Sequence, residues 1–295
     1  MVDTKTYELI DGRKISTDIK MEIATKVAER RQQNKKLPHL AIILVGDDGA
    51  SQTYVDNKVK ACKSVGFHYT MMRFADTISE EKLMKHIDHV NNDEDVDGFI
   101  VQLPLPPHIS VERITEKIRP DKDVDGFTNQ NFGSIMSKNP LLMPATPFGV
   151  MELLRRYKIE TEGKHAVVIG ASRIAGAPLS MMLTEQGRAT VTICHKHTKD
   201  LSSYTRSADI LLVAVGKPGL VTGDMVKEGA VVVDIGTTRV EGPEYPKGWA
   251  IKGDVDFKTV APKTSFITPV PGGVGPMTIA SLLLNTLRAT EFRYP

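Results

Sequence analysis

The chain has 295 residues, 41% of them hydrophobic and 25% charged, enough apolar material for two cores of ordinary size, so two domains suit it better than one or three. Lysine and arginine (38) nearly balance aspartate and glutamate (36), which excludes a global field drawing the chain to nucleic acid or an anionic membrane; an anionic substrate must be captured locally. With two cysteines, Cys62 and Cys194, an N-terminus unlike a signal or transit peptide, and no apolar run near membrane-spanning length, the expectation is a cytoplasmic protein without a membrane segment.

In chain order, strand-like LAIILVG (40–46) is followed by the helical pattern ASQTYVDNKVKACKSVG (50–66), strand YTMMRF (69–74) and a charged helix from Ser79 to about His89. Thr77 and Glu80 have the spacing of a capping box for that helix. The next strand is VDGFIVQLPLP. Runs such as AIILV are too apolar for a one-sided antiparallel strand, so this half reads as β/α with a parallel sheet. A loop of Asp, Asn, Gly and Pro (121–145) leads to the helix PFGVMELLRRYK, with Thr146 as N-cap and Pro147 at the first helical position. AVVIG, ATVTICH, DILLVAVG and AVVVDIG then repeat the β/α rhythm of a doubly wound sheet. The last apolar helix, TIASLLLNTLRAT, follows PVPGGVGP and is expected to return to the first domain.

Strand AVVI, the small-residue turn from Gly170 through Ala171, Ser172 and Arg173 to Gly176, and a helix make the setting of a phosphate-binding loop. It departs from G-x-G-x-x-G, because Ser172 stands at the second glycine and the last glycine is displaced by one; a tight turn without ligand is the alternative. The following strand ends in His195, Lys196 and His197 rather than the carboxylate that bonds the ribose of NAD. A cation there suits the 2′-phosphate of NADP, with Arg173 as a second candidate. Metal binding by Cys194, His195 and His197 is disfavoured by strand alternation, which would send His195 to the opposite face.

Ser51, Tyr54, Val55 and Lys58 fall at helical spacings, so a phenol and an amine share one helix face. An exposed lysine beside a half-buried tyrosine is the plain alternative. Gln102 closes an apolar strand at the carboxyl edge, where open α/β sheets place ligands, and its amide can fix a neighbouring lysine. Asp123 and Asp125 offer carboxylates to guanidine-like N–H groups of a ligand, or simple Asp-Gly turn chemistry. The Pro269 to Pro276 loop costs too much backbone entropy for mere connection, and a backbone wall beside a flat ligand is one explanation.

SQTYVDNKVKAC, IVQLPLP, DKDVDGF, PATPFGV and ITPVPGGVGPMT, in this order over nearly the whole chain, resemble the FolD family of methylenetetrahydrofolate dehydrogenases and methenyltetrahydrofolate cyclohydrolases. The resemblance implies two β/α domains: a catalytic, folate-binding domain over 1–145 completed by helix 276–295, and a Rossmann-like NAD(P)-binding domain over 146–275, with a cleft between them, in a homodimer. It implies Lys58, Tyr54, Gln102 and Asp125 as catalytic, and folate against these and Ser51, Val101, Leu103, Pro271, Gly272, Gly273 and Gly275. NADP, with NAD the alternative, is expected at Gly170, Ala171, Ser172, Arg173, Gly176, His195, Lys196, Gly216, Thr237 and Thr278, and no metal is expected. One departure stands out: many relatives carry Gly-Arg-Ser where this chain has Gly170-Ala171-Ser172, and that arginine commonly helps hold the adenosine side. Two rivals are a shikimate-type two-domain dehydrogenase, which does not account for YVDNK, QLPLP and PVPGGVGP together, and a catalytically silent folate or dinucleotide binder.

Overall fold

A computed structural model describes residues 7–137 and 140–295; the readings of the first six residues, and of Lys138 and Asn139 in the loop, lie outside them. The chain begins with strand β1 (Glu8–Leu9) and helix α1 (Gly12–Gln32). It continues through β2 (His39–Val45), α2 (Gly49–Val65), β3 (His68–Phe74), α3 (Glu80–Asn92) and β4 (Gly98–Val101), then two short helices, α4 (Val111–Glu116) and α5 (Asn129–Ser134). Helix α6 (Ala145–Arg156) precedes β5 (His165–Ile169), α7 (Gly176–Glu185), β6 (Thr190–Cys194), α8 (Leu201–Thr205), β7 (Ile210–Val213) and β8 (Ala230–Asp234). A hairpin of β9 (Thr238–Glu241) and β10 (Trp249–Lys252), short α9 (Phe257–Val260), strand β11 (Thr264–Ile267) and the long α10 (Val274–Arg293) complete it.

These elements form two compact units, one comprising Thr17–Ala145 with Ile279–Pro295, the other the chain up to Ser16 with Thr146–Thr278. The division differs at its ends from the sequence expectation. Residues 7–16 fall in the second unit because β1 pairs in parallel with β11, Glu8 opposite Phe266 and Leu9 opposite Ile267.

In the first unit, β3-β2-β4 form a parallel sheet. Central β2 is buried from Leu40 to Val45, so its sequence shows no polar alternation. Ala41, Ile43, Phe99 and Val101 pack in one core with Leu83 and Ile87 of α3. A parallel bridge from Phe99 to Asp123 brings the loop after α4 beside β4. Helix α3 is capped not by Thr77 but by Ser79, whose hydroxyl accepts from the Lys82 amide; the Glu80 carboxylate instead accepts from the Ser110 amide. The capping-box spacing was therefore coincidental.

In the second unit, six parallel strands run in the order β1-β11-β8-β7-β5-β6. Strand order reverses at β5, which has β6 on one side and β7 on the other, the switch point where such sheets hold ligands. Thr146 is not an N-cap: α6 already begins at Ala145, and the Thr146 hydroxyl shares a 3.1 Å hydrogen bond with that of Thr278. Among the described residues, no helix is long and apolar enough to cross a membrane.

Candidate active site and dinucleotide loop

Three neighbouring segments build the lysine site of the first unit. Helix α2 is fixed at its start by Asp48, whose carboxylate accepts from the Ser51 amide at 2.7 Å, and it carries Lys58 inward. Lys58 is only 9% exposed, whereas Tyr54, one turn earlier, is 49% exposed, the reverse of the ordinary surface pattern. The Lys58 ammonium donates to the Gln102 side-chain oxygen at 3.0 Å. Gln102 is oriented in turn, because its Nε2 donates to the Leu103 carbonyl at 2.6 Å and its backbone N–H to Ile43 of β2 at 2.8 Å.

Asp125 completes the cluster. Burial lowers the Lys58 pKa, and the carboxylate of Asp125 opposes that shift; burial raises the Asp125 pKa, opposed by the Lys58 charge. Each is therefore held closer to its neutral form than in water, which suits proton exchange. Cys62, one turn beyond Lys58, is buried and its thiol is pushed up to about 12 by desolvation, so it stays protonated.

The two aspartates of the DVDG turn divide the two readings between them. Asp123 is turn chemistry: its carboxylate accepts from the amides of Gly126, Phe127 and Thr128 and from Asn131 Nδ2. Asp125 is the one that interacts with Lys58. Sequence reasoning missed the residues that hold this turn. Asn285 of α10 donates to the carbonyls of Val124 and Met143 at 2.8 and 2.7 Å, and buried Lys122 donates to Val90 and Asp93 carbonyls at the end of α3. A polar residue inside an apolar helix, as in LLLNTL, was the available signal for Asn285. Val101, a sequence candidate for substrate contact, is buried in the core of the first unit at the end of β4.

In the second unit, the turn after β5 lies at the switch point. A Cβ at position 176 would stand 1.8 Å from the Gly170 carbonyl oxygen, and one at 170 would stand 2.2 Å from that of Ala214, so both glycines are demanded by close backbone approach. Ala171, Ser172 and Arg173 are exposed along the turn. Helix α7 has Ala175 at its N-cap and no side-chain capping bond; Ala177 and Leu179 donate to the Ser172 and Ala175 carbonyls and Pro178 carries no N–H, so of its first-turn amides Gly176 is the one turned to a ligand position. This arrangement fits a pyrophosphate. His195 and Lys196 are exposed beyond β6, with His195 Nδ1 accepting from the His197 amide at 3.2 Å. Because β6 ends at Cys194, the alternation argument against a metal did not apply; the histidines lie in a turn instead. Among the described residues no group of three His, Cys, Asp or Glu side chains converges to hold a metal ion.

The Pro269 to Pro276 loop also belongs to this unit, and part of its glycine content answers to packing rather than to a ligand. Gly272 and Gly273 are buried, the Gly272 carbonyl accepts from Arg13 at 3.1 Å, and a Cβ at Gly12 would strike the Gly273 carbonyl at 1.8 Å. Pro271 and Gly275 are exposed and remain available to a ligand. Gly216 and Thr237 lie on the loops after β7 and β8, at the same carboxyl edge as Gly170, while the Thr278 hydroxyl is engaged with Thr146.

A buried lysine with its part-buried glutamine and aspartate partners on one β/α unit and a glycine turn at the switch point of another define a two-domain, dinucleotide-dependent α/β enzyme. Two family models match: tetrahydrofolate dehydrogenase/cyclohydrolase, catalytic domain, over residues 10–125, and its NAD(P)-binding domain over residues 144–294. Similar proteins include the bifunctional protein FolD of Flavobacterium johnsoniae, 53% identical over 97% of this chain and 98% of that protein. The bifunctional protein FolD of Cytophaga hutchinsonii is 53% identical over 97% of this chain and all of its own length, 100%. Among solved structures, the Campylobacter jejuni FolD enzyme is 47% identical with a TM-score of 0.91, covering 97% of this chain and 99% of that one. The Trypanosoma brucei enzyme, complexed with NADP cofactor and inhibitor, is 39% identical with a TM-score of 0.93, covering 97% and 98%. The chain belongs to the tetrahydrofolate dehydrogenase/cyclohydrolase family. Likeness to a shikimate dehydrogenase from Aquifex aeolicus, at 14% identity and a TM-score of 0.51, is a likeness of fold alone.

Proposed function

We propose that this chain performs the family's two reactions, oxidising 5,10-methylenetetrahydrofolate to the methenyl form with NADP and hydrolysing that product to 10-formyltetrahydrofolate, with Lys58 as its central group. The observation that carries this reading is the Lys58 amine, buried, fixed by Gln102 and balanced by Asp125.

NADP, when bound, supplies the acceptor for the hydride leaving the one-carbon bridge. The residues that fit it are Gly170, Ala171, Ser172 and Gly176 for the pyrophosphate, Gly216 and Thr237 on the neighbouring loops, and Arg173, His195 and Lys196 for the 2′-phosphate. Thr278 enters as a partner of Thr146 that shapes the start of α6. Asp125 pairs with the N–H groups of the pterin, with Ser51, Tyr54, Leu103, Pro271 and Gly275 completing folate contacts.

In the cyclohydrolase step a water oxygen bonds to the methenyl carbon and gives up its proton to Lys58. The new hydroxyl then loses its proton to solvent and becomes the formyl carbonyl as the bond from that carbon to N5 breaks, N5 takes the proton returned by Lys58, and the formyl group stays on N10. Lowered basicity makes it easier for Lys58 to give the accepted proton back. Tyr54, exposed on the same face, is placed to orient substrate and amine. The test is to supply 5,10-methylenetetrahydrofolate with NADP or NAD and follow reduced nicotinamide and methenyl absorbance together. Reduced cofactor with little methenyl supports the reading; folate binding without turnover would replace it with a silent binder.

A homodimer in the cytoplasm completes the proposal. Edge strand β6 carries Ile193, 45% exposed, a surface for a second copy, and Cys62 and Cys194 are both free thiols, as a reducing compartment keeps them. Light scattering that returns the mass of one chain would reject the dimer.

A further inference from the structure

Asp234 and Asp254 are the most deeply buried acidic pair in the second unit, at 3% and 0% exposure, and the reactions above use neither. Each carboxylate is consumed by three backbone amides. Asp234 accepts from Gly236, Asp254 and Val255 at 2.9 to 3.0 Å. Asp254 accepts from Val215 at 2.7 Å, Gly216 at 3.0 Å and Lys217 at 2.6 Å, three consecutive N–H groups of the loop after β7. The chain of bonds therefore runs from the end of β8 through Asp234 to Asp254 and out to that loop. Desolvation pushes Asp234 up to about 6, so at neutral pH both it and its bonds are retained.

The direction of those bonds decides what the loop can offer a ligand. With its three amides turned inward onto a carboxylate, the segment Val215–Lys217 has no N–H left for a phosphate; it presents its outer backbone and the exposed Val215 side chain. The outer backbone and Val215 suit a ring, and an anion there would be met only by the exposed Lys217 side chain, not by backbone N–H groups.

We propose that Asp254, itself held by Asp234, is a positioning residue for the dinucleotide: it fixes the Val215–Lys217 loop amides-inward so that the loop receives a base ring of NADP while the glycine turn after β5 receives the phosphates. The inference rests on the reading of Gly216 as a cofactor contact. Asp234 fixes Thr237 by the same means, through the Gly236 amide.

The test measures NADP binding to the full chain by titration calorimetry for wild type, Asp254→Asn, Asp254→Ser and Gly216→Ala, alongside amide hydrogen exchange. Circular-dichroism spectra and thermal melts report whether each variant is folded. Loss of charge-assisted bonds to the loop should raise the NADP dissociation constant about tenfold or more, the serine variant above the asparagine. The Michaelis constant for NADP should rise with it, while the rate at saturating NADP stays within about twofold. In wild type the amides of 215–217 should be protected without ligand and slower still with NADP. Unchanged NADP affinity in Gly216→Ala would remove the loop from the cofactor site and with it both readings. Weakened binding in Gly216→Ala with normal binding in the Asp254 variants would overturn the inference alone. Should the variants not fold, wild-type amides that exchange freely, or that NADP leaves unchanged, overturn it equally.

Discussion

Lys58 and Lys196 are chemically identical side chains, and the difference between their surroundings separates the two halves of this enzyme. Lys58 is buried among Gln102, Asp125 and Cys62, where desolvation lowers its basicity and a fixed acceptor aims it. Lys196 stands exposed in the turn after β6, where water and salt screen whatever charge it meets. On the proposed reading, catalysis in the first unit rests on a few enclosed side chains, and cofactor capture in the second rests mostly on backbone, with glycines that permit close approach.

Replacing the buried lysine tests that contrast most severely. Lys58→Met should lower cyclohydrolase turnover at least about 100-fold, the scale of a lost general acid/base; near-normal turnover in a purified, folded variant rejects the role. On the backbone side, Gly176→Ala places a Cβ against the Gly170 carbonyl, and overpacking of that kind should destabilise the fold by roughly 1–3 kcal/mol and weaken NADP binding. A thermal melt and an NADP titration equal to wild type would contradict it.

The supporting shell of the lysine site responds differently to pH. Burial holds Lys122 down to about 8 against its ordinary 10.5, so between these values the unfolded chain binds the extra proton and the unfolding free energy rises with pH. Lys122→Met should flatten that rise and, by leaving the Val90 and Asp93 carbonyls without their donor, cost roughly 1–3 kcal/mol at neutral pH. Denaturant melts across the window would expose a persisting slope. Asp125→Asn removes the charge that holds the Lys58 pKa up, so the limb of the cyclohydrolase pH profile that reports Lys58 deprotonation should move to lower pH; a shift upward would place the pair wrongly. The smallest effect belongs to Lys196→Ala, which should reduce the preference for NADP over NAD by less than about tenfold, as for a screened surface contact. An unchanged preference would leave Arg173 or His195 as the reader of the 2′-phosphate.

Periodicity alone placed the parallel strands and their helices, because a strand covered on both faces must be apolar along its whole length, as β2 is. Spacing also put Tyr54 and Lys58 on one helix, and the FolD-like motifs named the family. What one-dimensional patterns cannot carry is which polar group ends up facing which. Asp123 and Asp125 are two residues apart in the same turn, yet one is spent on backbone amides and the other answers Lys58. Thr77 had a capping box's spacing and Ser79 took the cap. Gly272 and Gly273 read as a ligand wall and serve the start of α1. Lys122, Asp234 and Asp254 carry no local signature, since each acts on backbone brought to it by pairing or packing across 20 to 39 residues of chain, and the polar Asn285 within LLLNTL signals burial but not its partners 142 and 161 residues away. The sequence by itself determined most of the strands and long helices, their parallel class and the family, since these follow from local pattern and motif, while β1, α1, β11 and the antiparallel β9–β10 hairpin lay outside those patterns. Only the tertiary structure decided burial, and with it the basicity of Lys58, the division of labour between the two aspartates and the inward turn of the Val215–Lys217 amides, because desolvation and hydrogen-bond partnership exist only once distant segments meet.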